Sequence, residues 1–326
     1  MSTESPVAAP GEWEQMVRAA RRYYRDDASK VQIGEELGVS RFKVARLLEQ
    51  ARELGVVTIT IHDSGLHLPG LSTAVAGHLG LDRVVVIESS GSDADVRRQV
   101  GQAAADQLGS ILREGEVLGL AWGRTLTAMS AAMPPLPRLD VVQLTGALGT
   151  ELADSPVEVV RRVALQSGGT ARPIFAPLVV DDPATADALR RQPDVAAALA
   201  MFDSLSTAVV SVGSWDPPES QLLRTVGPAE QRDLLDRGVV AEVASILVSD
   251  EGEPVAPEFQ SRCLTIDVEQ MRRVPRVVAA AGGARKARAL AAVVRAGLVT
   301  ELVCDRALAE AVLELPAVLS TFRAER

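Results

Sequence analysis

From Leu71 onward, short apolar stretches alternate with longer amphipathic ones, and this alternation limits the possible folds more than any other feature of the chain. The strand candidates are Arg83–Glu88, Glu116–Ala121, Asp140–Leu144, Ala171–Phe175, Thr207–Gly213, Val239–Val248, Arg276–Ala281 and Val299–Val303. Helical stretches such as Asp93–Leu112 and Ala284–Ala296 separate most of them. Near-continuous apolar strands need cover on both faces, and crossover helices supply it, so the pattern predicts a mainly parallel sheet in an α/β domain. Sheets of this kind bind ligands in the crevice beyond the C-terminal strand ends.

The front of the chain follows different rules. Ser29 and Gln32 form a capping-box pair, and Val31, Ile33 and Leu37 fall on one helical stripe. Gly38 stops that helix, Val39 fills the turn, and Ser40 caps a second helix whose inward face is Val44, Leu47 and Leu48. An earlier helix over Trp13–Arg25, with Met16, Val17, Ala20, Tyr23 and Tyr24 near its apolar stripe, makes a third wall. The pattern is that of a helix-turn-helix, whose second helix enters a major groove. Ser40, Arg41 and Lys43 lie near the start of that helix, within reach of base edges or phosphates, and Arg46 lies one turn deeper. Lys30 and Arg52 are placed for backbone phosphate. An ordinary helical hairpin with a solvated basic face has some of these features too. Val57, Ile59 and Ile61 then alternate with threonines, a strand signal that gives the unit a winged character.

The net charge of −9 argues at first against nucleic acid, until it is divided along the chain. Residues 13–62 hold nine Lys/Arg against seven Asp/Glu, whereas residues 63–326 hold 25 against 34. An acidic body with one mildly basic segment repels DNA except in a single orientation. Residues 1–12 read as a disordered lead without signal-peptide layout, and residues 63–70, rich in Asp, Ser, Gly and Pro, read as a linker. Domains are therefore expected at 13–62 and 71–326. No apolar run approaches the roughly 20 residues that a bilayer requires, so no membrane partner is expected. Cys263 and Cys304 alone make neither a disulfide framework nor a cysteine-rich zinc site. The chain is expected in the cytoplasm, with no metal and no cofactor.

Three strand ends in the second domain carry glycine beside small polar groups. The first is Trp122-Gly123-Arg124-Thr125, where a strand turns into a helix. Gly123 admits close backbone approach, Thr125 adds a hydroxyl, and Arg124 offers a fork for phosphate or carboxylate. Taken alone, this is equally a plain strand-to-helix turn. The second carries Thr145 and Gly146, and the third Gly213 and Ser214. Lys286 is distinctive because the chain has 31 arginines and only three lysines, which suggests a need for a compact ammonium, with a chance surface lysine as the plainer alternative. Glu242 lies in an apolar run, as an acceptor for sugar hydroxyls, a partner of Lys286, or an edge residue facing solvent.

Together these segments resemble the SorC family of sugar-responsive bacterial transcriptional regulators, whose effector domain is deoxyribonucleoside-regulator-like. The resemblance rests on RAARRYYRDDASKVQIGEELGVSRFKVARLLEQARELGVVTITI in front, and on GLAWGRT, VVQLTGALG, STAVVSVGS and VVAAAGGARKARALAAVV behind. It implies an N-terminal winged-type helix-turn-helix unit and a larger α/β effector domain, similar in fold to sugar-phosphate isomerases but binding rather than converting. It also implies a double-stranded DNA operator, a sugar, polyol or sugar-phosphate effector, and a homodimer or homotetramer. Gly123, Arg124 and Thr125 match the family's phosphate- or sugar-holding turn, Thr145 and Gly146 its second loop, and Lys286 its ligand-facing lysine. Where the family often has Gly-Asp, this chain has Ala241-Glu242, with a carboxylate one methylene longer.

The competing reading is a sugar-phosphate isomerase or deaminase with an appended DNA-binding unit. Acid–base work on sugars commonly uses His or paired carboxylates. His62, His67 and His78 all precede the pocket strands, which leaves only Glu242 and Lys286 as a plausible pair. A non-catalytic regulator is the stronger expectation.

Overall fold

In the computed structural model, which describes residues 10–57, 65–148 and 155–318, the chain divides into two units, Met1–His62 and Asp63–Arg326. The first contains helices α1 (Pro10–Tyr24), α2 (Lys30–Leu37) and α3 (Arg41–Glu53). Helix α1 begins at Pro10, inside the segment expected to be a disordered lead, because proline suits a first helical turn and Glu12 complements the helix dipole there. Met16, Ala19 and Ala20 pack with Ile33, Val44, Leu47, Leu48 and Ala51 into one small core. Val31, expected on the apolar stripe, is 53% exposed, since α2 is too short to bury more than the side holding Ile33 and Gly34. Of the expected winged strand, all but Val57 lies outside the described residues.

The second unit contains strands β1 (Arg83–Ile87), β2 (Val117–Leu120), β3 (Asp140–Gln143), β4 (Thr170–Arg172), β5 (Thr207–Val210), β6 (Gly213–Ser214), β7 (Ala241–Val243), β8 (Ile246–Val248), β9 (Arg276–Ala281) and β10 (Glu301–Asp305). Its helices are α4 (Pro69–Leu79), α5 (Asp93–Ile111), α6 (Arg124–Ala132), α7 (Pro156–Ser167), α8 (Pro183–Arg190), α9 (Pro193–Leu199), α10 (Pro228–Asp236), α11 (Pro257–Ser261), α12 (Val268–Arg273), α13 (Ala287–Arg295) and α14 (Arg306–Leu313). Seven strands form a sheet in the order β1-β10-β9-β5-β2-β3-β4, and every pair in it is parallel. The expected α/β class is thus borne out. The order places β3 and β4 on one side of β2 and β5 on the other, so the chain changes direction between β2 and β5. That is the switch point at which such sheets open a crevice.

Two expected strands are divided. Thr207–Gly213 breaks after Val210, and Gly213–Ser214 leaves the parallel sheet to pair antiparallel with β7. Val239–Val248 folds into the hairpin β7–β8, because Ala244 and Ser245 both adopt positive φ (48° and 63°), the geometry of a two-residue hairpin turn. Apolarity on both sides of that turn hides it from a periodicity argument. Around the small sheet a second core gathers Trp122, Trp215, Leu222, Leu247 and Phe259. Residues expected in the linker are part of the fold: the Leu68 N–H donates to the Val86 carbonyl at 2.9 Å, the Glu88 N–H donates to the Leu66 carbonyl at 2.8 Å, and Pro69 opens α4.

Candidate functional site

The helix pair at the front is built by its caps. Ser29 Oγ accepts from the Gln32 N–H at 3.3 Å, and Gln32 Oε1 accepts from the Ser29 N–H at 2.9 Å, completing the capping box. Gly38 takes the left-handed conformation (φ 66°) that turns the chain. Ser40 Oγ accepts from the Lys43 N–H at 3.2 Å and starts α3. Gly34, not singled out from the sequence, packs against the turn between the helices: a Cβ there would lie 2.7 Å from the Val39 carbonyl oxygen.

The structure distinguishes the basic residues of this unit from one another. Arg41, Arg46 and Arg52 are exposed on α3. Lys43 instead donates from Nζ to Glu12 Oε1 of α1 at 2.6 Å, and that hydrogen bond and charge hold the Glu12 carboxyl below the usual carboxylate range. Lys30 Nζ lies 5.7 Å from the Tyr23 ring centroid, so it begins α2 already stacked on an aromatic face.

In the second unit a cavity of about 340 Å³ opens beyond the C-terminal ends of β2, β5 and β9. Gly123, Arg124, Thr125, Gly213, Glu242 and Lys286 all line it. Each arrives for a local reason. Gly123 adopts φ 142° at the end of β2 and leads into α6, so the N-terminal end of that helix, a favourable position for an anion, lies at the cavity. Any Cβ at Gly123 would strike Ser211 Oγ, which donates to the Trp122 carbonyl at 2.7 Å and ties the β2 end to the β5 end. Gly283 (φ 92°) performs the same turn after β9 and leads the 3-10 turn Ala284–Lys286 into α13. Buried Asp305, at the end of β10, holds that turn by accepting from the Gly283 N–H at 2.9 Å.

Lys286 and Glu242 share the cavity but bond to different partners. Lys286 Nζ donates to the Val212 carbonyl at 2.8 Å, and burial lowers its pKa, with Glu219 and Glu242 opposing the shift and Arg124 and Arg97 adding to it. Glu242 is 4% exposed, which overturns the reading of it as a solvent-facing edge residue. Its Oε1 accepts from Ser220 Oγ at 3.1 Å and its Oε2 from the Ser245 N–H at 3.2 Å. Burial raises its pKa to about 7; those two hydrogen bonds and the Lys286 charge limit the rise. Arg285 adds a pair with Glu219 at 2.9 Å on the cavity rim.

Thr145, Gly146 and Ser214 do not line the cavity. The Gly146 N–H donates to the Leu264 carbonyl at 2.6 Å, and the Thr145 carbonyl accepts from Gln143 Nε2, so the β3 end is taken up by packing against residues 263–266. Ser214 is buried in β6, and its carbonyl accepts from the N–H groups of Glu219 and Ser220, both at 2.9 Å, which presents those two residues to the cavity. Arg97, Ser211, Glu219 and Ser220 went unnoticed in the sequence. Only Ser211, two residues before a noticed glycine, lay near a signal that could have exposed it.

One wall of this cavity supplies cations and the N-terminal end of a helix, and the other a buried carboxylate with hydroxyls. An anionic group and a row of hydroxyls on one small molecule would satisfy both. Residues 66–314 match the Sugar-bind family, described as "Putative sugar-binding domain". The chain belongs to this family. Among relatives of this Sugar-bind member, the uncharacterized transcriptional regulator YjhU of Escherichia coli (strain K12) is 28% identical over 313 residues, covering 92% of this chain and 95% of its own. The deoxyribonucleoside regulator of Bacillus subtilis (strain 168) is 25% identical over 303 residues, covering 91% and 96%. The crystal structure of the full-length sorbitol operon regulator SorC from Klebsiella pneumoniae has the same fold, with a TM-score of 0.71 at 24% identity over 93% of this chain and 99% of that one. These matches bear out the SorC-type resemblance, and the relatives are transcriptional regulators rather than enzymes. Among the described residues, no helix is long and apolar enough to cross a membrane.

Proposed function

We propose that this chain is a cytoplasmic transcriptional regulator, a homodimer or homotetramer, whose affinity for a double-stranded DNA operator is set by a small sugar, polyol or sugar-phosphate effector. The observation that carries the proposal is the cavity at the switch point. There, two glycine-led helix starts and Lys286 face the buried Glu242 carboxylate, in a chain that also carries a capped helix-turn-helix. The effector's anion binds at Gly123, Arg124, Thr125 and Lys286, and its hydroxyls bind at Glu242. Ser40, Arg41 and Arg46 contact the operator at the reading helix, Lys30 and Arg52 contact backbone phosphate, and Lys43 does so once it leaves Glu12.

The control is a population shift. Effector in the cavity favours one arrangement of the effector domains, and the oligomer then spaces its reading helices well or badly for paired half-sites. A thermal-shift screen across sugars, polyols and their phosphates, followed by gel-shift titration of any hit, tests the proposal. A ligand at about 100 times its Kd adds roughly 2.7 kcal/mol of stability and should move the operator-binding curve. If none of these classes stabilises the folded protein or alters its operator binding, the proposal fails.

A further inference from the structure

Phe42 is the second residue of α3, and 70% of its surface is exposed. The buried face of α3 carries Val44, Leu47, Leu48 and Ala51. With about 3.6 residues per turn, Phe42 points roughly half a turn away from the middle of that face. Arg46 lies one turn further along the same outward side, and the Arg41 guanidinium carbon sits 4.8 Å from the Phe42 ring centroid. An aromatic ring at the start of this helix, stacked with Arg41 and one turn from exposed Arg46, presents apolar surface where cations would draw in a polyanion. Lys43, the other first-turn cation, is engaged by Glu12, so the ring and Arg41 dominate the tip of the helix.

We infer that Phe42 is a specificity-determining residue that reads a thymine through its C5-methyl group in the major groove of the operator. The methyl is the only apolar group that base edges display there, and a ring flanked by phosphate-seeking arginines is a complementary partner for it. This inference rests on the DNA-binding function proposed above. On it, Arg41 and Arg46 supply affinity without regard to sequence, and Phe42 supplies discrimination at one base pair in each half-site.

Selection of duplexes from a random library by the full-length protein and by Phe42→Ala, followed by replacement of each selected thymine with deoxyuridine, provides the test. Deoxyuridine removes only the methyl. The native protein should select a fixed thymine and lose about fourfold in affinity when that base becomes deoxyuridine. F42A should fold normally, bind DNA with the same salt dependence, tolerate any base at that position and ignore the deoxyuridine change. Selection of the same thymine by F42A, or indifference of the native protein to deoxyuridine at every thymine, overturns the inference and leaves the DNA-binding proposal standing. A change in oligomeric state in F42A with unchanged base selection also overturns it, by showing that the ring meets protein. Failure of the native protein to select any consensus removes both.

Discussion

Gly213 of β6 lies directly opposite Glu242 of β7, and the Glu242 carboxylate occupies the space where a Gly213 side chain would stand. The carboxylate is therefore held over bare backbone at the cavity wall, fixed by Ser220 Oγ and the Ser245 N–H. Gly213→Ala should displace it, lower stability by about 1–3 kcal/mol through overpacking, and weaken effector binding. Chemical denaturation and isothermal titration of the same variant measure the two effects separately.

The burial of Glu242 makes stability depend on pH. Its folded pKa of about 7 exceeds the ordinary value of 4.5, so between those values the folded state keeps a proton that the unfolded chain has released. The effector-free protein should be most stable below that window and lose up to about 3 kcal/mol from this group as pH rises through it, with no further loss above. Glu242→Gln keeps the shape without the charge and should flatten the slope. Denaturation midpoints at pH 5 and pH 8 for both proteins check the sign, and equal slopes would contradict it.

Lys286 supplies a point charge, whereas neighbouring Arg285 is engaged with Glu219 on the rim. Lys286→Met should retain the apolar stem and the fold while reducing affinity for a phosphorylated effector on the order of tenfold or more, the loss of one charge-assisted contact. Operator binding without effector should be unchanged. Titration calorimetry and gel shifts on the same preparation read the two outcomes.

Gly34 meets the Val39 carbonyl at the helix turn, with backbone on both sides of the contact. Gly34→Ala improves helix propensity by about 1 kcal/mol and still should destabilise the reading unit, because neither side can yield. A lower melting point for this unit with an unaltered effector response is the expected signature.

Glu12 engages Lys43, 31 residues away, in a partly exposed pair within the same unit. Glu12→Gln should free the lysine for phosphate, raise DNA affinity about two- to fivefold at low salt, and steepen the salt dependence by close to one ion. Stability should fall only slightly, because a pair that water still reaches contributes little. Binding isotherms across a salt series resolve the effect.

Much of this protein was legible locally. Caps at Ser29 and Ser40, glycine stops at Gly38 and Gly123, and alternating apolar strands each act within a few residues, and the structure realises them. The scarcity of lysine singled out Lys286, which lines the cavity. Long-range pairing escaped that kind of reading. Thr145 and Gly146 had the same glycine-bearing strand end as Gly123, yet β3 lies on the far side of β2, and residues 263–266 cover its end. Lys43 carried the same signal as Arg41, and only the return of α1 gave it Glu12.

The amino-acid sequence alone determined most of the segments that become helices and strands, because caps, turns and apolar periodicity are interactions between near neighbours; the division of Val239–Val248 into a hairpin is an exception. The tertiary structure decided which strand ends meet. Strand order brought β2, β5 and β9 together, set Glu242 against Gly213, placed Arg97 and Ser220 around one cavity, and set Asp305 to hold its Gly283 turn. That order follows from the packing of distant segments against one another, and neighbouring residues carry no record of it.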